Sequence, residues 1–187
     1  LAFSAHGLPG RAGAFMKTYP VRFAAVCGLV LALIGLASGS AVLGLTVRGS
    51  GKKGETLDSG IYLEKGADGV RVEGNVLEGN LFGIVLHGCK DAIVRNNRIA
   101  NRDDLWVNDR GNGIHTWNNT GTLIEGNTVT GGRDGIYVEI SHGIAIKGNV
   151  SGDVRAGAVT VRGVGSTGVT IDGDVGGKVN ISGSIST

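Results

Sequence analysis

Gly60–Gly66 reads GIYLEKG, Gly83–Cys89 reads GIVLHGC, Gly113–Asn119 reads GIHTWNN and Gly135–Ser141 reads GIYVEIS. A degenerate copy, GAVTVRG, begins at Gly157. About a dozen residues after each copy comes a second phrase ending in Gly-Asn or its variant: VRVEGN to Asn75, IVRNN to Asn97, LIEGN to Asn127, AIKGN to Asn149 and TIDGD to Asp174. The Gly-Ile copies are separated by steps of 23, 30, 22 and 22 residues. A period near 22 built from short alternating strands is too short for most helical repeats and suits one coil of a stacked β-solenoid. The period predicts an all-β fold: a right-handed single-stranded parallel β-helix of about six rungs, with three short strands in each rung.

Alternation sorts the side chains, because successive residues of a strand point to opposite faces. Counted from the glycines, Ile61, Ile84, Ile114, Ile136 and Ala158 form one inward file, and Leu63, Leu86, Thr116, Val138 and Thr160 the next. The Gly-Asn phrases supply Val70, Ala92, Thr122, Ile144 and Val169, then Val72, Val94, Ile124, Ile146 and Ile171. Leu77, Ile99 and Val129 mark a third side. Asn75, Asn97, Asn127 and Asn149 recur at one corner and are expected to stack as an amide ladder. LGLTVRGSG, from Leu43, reads as an incomplete first rung, and the stretch after Gly163 as a fraying or capping end. The chain is therefore expected to be a short or truncated member of something longer.

Composition agrees with a solenoid. Gly accounts for 35 of 187 residues and Pro for 2, with 41% apolar residues, unlike a disordered linker. The formal charge of +2 comes from the leader: without Arg11, Lys17 and Arg22, 15 basic residues face 16 acidic ones. No basic stripe remains, which sets nucleic acid aside as a partner.

From Met16 the chain has a basic start (Lys17, Arg22), an apolar run from Phe23 to Leu36, and small residues ending at Ala41. That order is the pattern of a secretory signal. Residues 1–41 are accordingly expected to be leader and hydrophobic signal helix, and 42–187 the β-helix domain of an exported, periplasmic protein. An uncleaved signal acting as an anchor is the competing reading. Cys27 falls inside this segment, so Cys89 stands alone in the domain.

Two outward columns stand out. One runs Tyr62, Val85, His115, Tyr137, Val159 and the other Glu64, His87, Trp117, Glu139, Val161. Histidines, acids and aromatics on one solvent face suit a partner- or ligand-binding surface, since aromatics are enriched where proteins dock. The 30-residue step inserts RIANRDDLWVNDRGN before Gly113, expected to hang over the His115/Trp117 strand with Asp103, Asp104, Trp106, Asn108, Asp109 and Arg110. Loops added to a solenoid often carry binding function. His87, Cys89 and His115 are candidate metal ligands, with imidazole and thiolate both able to take copper. Glu64 and Glu139 stand three rungs apart, ~14 Å by rung spacing, too far for a glycosidase pair; no catalytic residue is assigned.

The phrases GNVLEGNLFGIVLHG, NDRGNGIHTWN and GRDGIYVE, within Gly60–Ser141, resemble the NosD family, periplasmic β-helix proteins of nitrous-oxide reductase maturation. The resemblance implies a non-enzymatic docking scaffold that works with an ABC-type ATPase and permease, a copper-chaperone lipoprotein and nitrous-oxide reductase. It also implies transient copper as the cargo, and membrane association through partners or through the retained signal. The alternative is a carbohydrate-binding or carbohydrate-acting β-helix, as lyase, hydrolase or epimerase.

Overall fold

The computed structural model describes residues 22–26, 29–33, 38–148, 153–157 and 169–181. Its first strands are β1 (Arg22–Val26), β2 (Leu29–Leu33), β3 (Ala41–Leu43), β4 (Thr46–Arg48), β5 (Ser59–Leu63) and β6 (Arg71–Glu73). Next come β7 (Val76–Glu78), β8 (Phe82–His87), β9 (Ile93–Arg95), β10 (Arg98–Ala100), β11 (Ile114–Trp117) and β12 (Leu123–Glu125). The last are β13 (Thr128–Thr130), β14 (Ile136–Glu139), β15 (Ile144–Lys147), β16 (Val154–Ala156), β17 (Val169–Asp172) and β18 (Val179–Ile181). They form three sheets, in the orders β1-β2-β5-β8-β11-β14-β16-β18, β3-β6-β9-β12-β15-β17 and β4-β7-β10-β13. All neighbours are parallel except β1 and β2. The chain thus turns through three sides and returns one rung higher, as a parallel β-helix.

The expected files are observed. Ile61, Ile84, Ile114 and Ile136 lie in register, as do Val72, Val94, Ile124, Ile146 and Ile171, and Leu77, Ile99 and Val129. They make one core cluster, and each Leu or Ile fully withdrawn from water contributes on the order of 1.5–3 kcal/mol. Three glycines of the Gly-Ile phrases, Gly60, Gly83 and Gly113, let the corner close. A Cβ on Gly60 would stand 2.8 Å from the Leu77 side chain, and one on Gly113 would run into Val129 and the Gly135 carbonyl. Gly74 and Asn96 hold the other corner in the left-handed region, φ 64° and 54°, so the asparagine after each turns inward. There Asn75 Nδ2 donates to Asn97 Oδ1 and Asn97 Nδ2 to Asn127 Oδ1, both at 2.9 Å. Asn149 lies outside the described residues.

Two expectations about register change. Val154 and Ala156, not Ala158 and Thr160, lie opposite Ile136 and Val138. The phrase from Gly157 keeps the same inward parity four residues later, and an even offset is invisible to alternation. Buried Asp134 selects the earlier strand, pairing with Arg155 Nε at 3.3 Å and Arg133 Nε at 3.0 Å. Val159 and Val161 lie outside the described residues, and Arg155 takes the place beside Tyr137.

The second change concerns the long step. Val42 faces Val72 and Val47 faces Leu77, so the first rung is also 30 residues long. Its surplus, Gly49–Asp58, leaves from the same corner as Asn101–Asn112, with the unextended β7–β8 turn between them. Part of the expected signal helix lies outside the described residues. Within it, β1 and β2 are extended, with Ala32 and Leu33 opposite Ile61 and Tyr62; a short aliphatic run suits strand as well as helix.

Candidate functional site

On the outer face of β5–β8–β11–β14–β16, register sets Tyr62, Val85, His115, Tyr137 and Arg155 in one file and His87, Trp117 and Glu139 in the next. Tyr62 Oη and His87 Nδ1 share a hydrogen bond at 3.1 Å. Burial, with Glu64 nearby, raises the Tyr62 phenol above its ordinary range, so it stays protonated. The His87 ring stacks on Trp117 with centroids 4.4 Å apart and planes at 12°. Trp117 is exposed, so this stack presents an imidazole edge on a rigid aromatic support.

His115 is set deeper, at 9% exposure. It meets Tyr137 edge-on at 5.0 Å and Phe82 at 5.8 Å. Burial pushes its imidazole down to about 4, with Arg133 and His87 adding to the shift and Asp134 opposing it. The Asn112 side-chain amide shares a hydrogen bond with Nδ1 at 3.2 Å. Arg133 also lies over the Tyr137 ring, 5.9 Å from its centroid.

Cys89 does not join the histidines. It sits in the core, its backbone N–H donating to Asn119 Oδ1 at 2.6 Å and its Sγ 3.5 Å from the Glu64 carbonyl. Burial pushes its thiol up to about 11, so it stays protonated at neutral pH. His87 and His115 therefore share the outer face while Cys89 faces inward. Among the described residues no group of three or more His, Cys, Asp or Glu side chains comes together for a metal.

The second long loop is fastened down rather than hanging free. Arg110 donates from Nε to the Leu105 carbonyl at 2.7 Å and from Nη2 to the Asp103 carbonyl. Arg102 forks onto Asp104 at 2.7 and 2.6 Å, and holds its exposed carboxyl down to about 2. Trp106, 78% exposed, precedes a 3₁₀ turn at Val107–Asp109, and Asn108 and Asp109 are exposed beside it. Leu105 packs with Leu57 and Tyr62 over Leu81, Phe82 and Val85. The loop thus meets the face at Phe82 and, through Asn112, at His115. Val85, counted outward by alternation, is fully buried under this cover. Glu64 and Glu139 stay at opposite ends of the face. The sequence reading missed Phe82, Asn112, Arg133 and Asp134; the GRD phrase before Ile136 held two of them.

The three parallel sheets and their inward files define a solenoid scaffold that carries imidazole and aromatic rings on one outer face. The chain belongs to the right-handed β-helix family: the family described as "Right handed beta helix region" matches residues 34–185. It is 38% identical over 97 residues to the "Probable ABC transporter binding protein NosD" of Pseudomonas aeruginosa, covering 52% of this chain and 23% of that protein. It is 32% identical over 94 residues to the protein of the same name from Stutzerimonas stutzeri, covering 50% and 22%. The matched part thus spans under a quarter of the length of these relatives. No solved structure matches the chain. The NosD-family likeness read from Gly60–Ser141 is borne out.

Proposed function

We propose that this chain is an exported, NosD-like docking scaffold. It works beside an ABC-type ATPase and permease, accepts copper from a copper-chaperone lipoprotein, and supports assembly of the copper–sulfur centre of nitrous-oxide reductase. The observation that carries this reading is the Tyr62–His87–Trp117 arrangement with His115 on the next file. Two imidazoles stand on adjacent rungs of one sheet, one half-buried and one held neutral, among aromatic side chains. Imidazole is a competent copper ligand, and two from one protein leave coordination positions for a donor or acceptor partner to fill. That suits transfer better than storage. The named role of the relatives supports a transporter partnership. Cys89 has no part in it, because its thiol is buried and protonated.

The test is Cu(I) titration against a competing chelator, with and without the copper-loaded chaperone. His87→Ala and His115→Ala are expected to abolish transfer, and Cys89→Ala to leave it unchanged. Absence of both uptake and chaperone docking would sink the reading.

A further inference from the structure

The outer face of β6–β9–β12–β15 carries its charges in a regular order. Register sets Arg71, Ile93, Leu123 and Ala145 in one outward file and Glu73, Arg95, Glu125 and Lys147 in the next. The second file alternates in sign at every rung. Ile93, Leu123 and Ala145 are half-buried, and Arg71 and Lys147 are exposed. On the outer face of β4–β7–β10–β13 the files run Thr46, Val76, Arg98, Thr128 and Arg48, Glu78, Ala100, Thr130. Neither of these alternates in sign over four rungs.

An alternating file of four charges is complementary to itself when reversed. Two copies can be laid face to face about a two-fold axis that runs along the strands, midway between β9 and β12. Each file then lies opposite itself with its rungs in reverse order. Glu73 faces Lys147 of the second copy, and Arg95 faces Glu125 of the second copy. In the other file Ile93 faces Leu123, and Arg71 faces Ala145. Every contact occurs twice, as a two-fold pair requires. A slip of one rung would set Arg95 against Arg95 and Glu73 against Glu125, so the charges select one register. Arg95 already bridges Glu73 within the chain at 3.0 Å, but a guanidinium has further N–H groups to donate. Glu125 and Lys147 make no ion pair with any described residue.

The matched patch is four rungs tall, about 14 Å, and about 10 Å wide along its strands. One rung further out the match ends, because Leu43 would meet Asp172. A patch of that size is well under the ~800 Å² per partner of a standard interface, so the pair is weak and forms with concentration.

We propose that the outer face of β6–β9–β12–β15 binds a second copy of this chain, antiparallel, with Ile93 on Leu123, Arg95 on Glu125 and Glu73 on Lys147. This surface lies on a different sheet from His87 and does not depend on copper.

The experiment is sedimentation velocity of the whole chain at concentrations up to about 1 mM. A dimer is expected that dissociates as NaCl rises from about 0.05 to 0.5 M and the charges are screened. Arg95→Glu alone and Glu125→Arg alone each create two like-charge contacts, and each should weaken the dimer at least about tenfold. Mixed in equal amounts, the two variants should associate as the parent does, because Glu at 95 then faces Arg at 125. Thr128→Lys on another sheet should change nothing. Far-ultraviolet circular dichroism reports whether each variant folds. Leu123→Gln, which leaves every charge in place, supplies an independent arm and should weaken the dimer several-fold. A parent chain that stays monomeric at 1 mM, a dimer indifferent to salt or to Leu123→Gln, or a mixture that associates no better than its components overturns the proposal.

Discussion

His87 lies flat on Trp117, 4.4 Å between centroids, and joins two rungs that the chain separates by 30 residues. Stacked ring pairs contribute roughly 0.5–1.5 kcal/mol beyond the area they bury. A double-mutant cycle with His87→Ala and Trp117→Ala, measured by urea unfolding, is expected to return a coupling of that size. Independent effects of the two changes would show that the stack contributes no stability.

Asn97 sits within the amide ladder, donating to the Val72 carbonyl and to Asn127 Oδ1, and accepting from the Asn75 backbone and side chain. Asn97→Ala strands several buried groups, each costing about 1–3 kcal/mol when unmade. A loss of at least about 3 kcal/mol is expected, readable as a lower urea midpoint. Exposed Thr128→Ala should stay within about 0.5 kcal/mol.

Ile140 is exposed with φ 47°, a conformation that a β-branched residue adopts at a cost of roughly 1–2 kcal/mol. At the same corner, earlier rungs carry Gly88 and Asn118, with φ 71° and 56°. Ile140→Gly should therefore stabilise the fold by about 0.5–1 kcal/mol after glycine's own entropy cost. A lower melting temperature would contradict this.

Gly113 and Gly54 separate the two uses of glycine here. Gly113→Ala forces a methyl into Val129 and is expected to cost ~2 kcal/mol or more, as overpacking does. A Cβ at Gly54 meets nothing within 4 Å, so Gly54→Ala should be neutral or slightly stabilising. Thermal melts of the two variants decide it.

His115 should make stability depend on pH. Its folded-state value of about 4 lies below the ordinary 6.5, so between these values the unfolded chain binds the extra proton. Stability is then full above pH 6.5 and falls as pH drops toward 4, by up to about 3 kcal/mol. His115→Gln removes the titrating group. The unfolding free energy of the variant should be flatter across that window than that of the parent chain, and equal slopes would refute the assignment.

The inward files were legible because parity along a strand needs only a starting glycine, and four Gly-Ile copies supplied one. Three features escaped that count. Val154 and Ala156 differ from the Gly157 phrase by an even offset, so only the buried Asp134 could choose between them. The first long rung was hidden because no Gly-Ile phrase precedes Gly60, leaving nothing to measure its step against. Cys89 counts as outward from Ile84, but the left-handed Gly88 before it resets the alternation and turns the thiol inward. The outer face was legible as a set of residues. Its division into half-buried His87, sunken His115 and covered Val85 was not, because the covering side chains Leu57 and Leu105 come from loops with no periodicity.

The amide-to-amide bonds of the ladder all run one way: Asn75 gives to Asn97, and Asn97 gives to Asn127. The long axis of the solenoid therefore has a polarity that neither the aliphatic files nor the sheet spacing would impose. An inverted coil would set donor against donor at this corner, so any coil added to such a stack has one permitted orientation. A partner that reads the face carrying Tyr62 and Trp117 meets it in a single sense, as a vector and not as a symmetric patch.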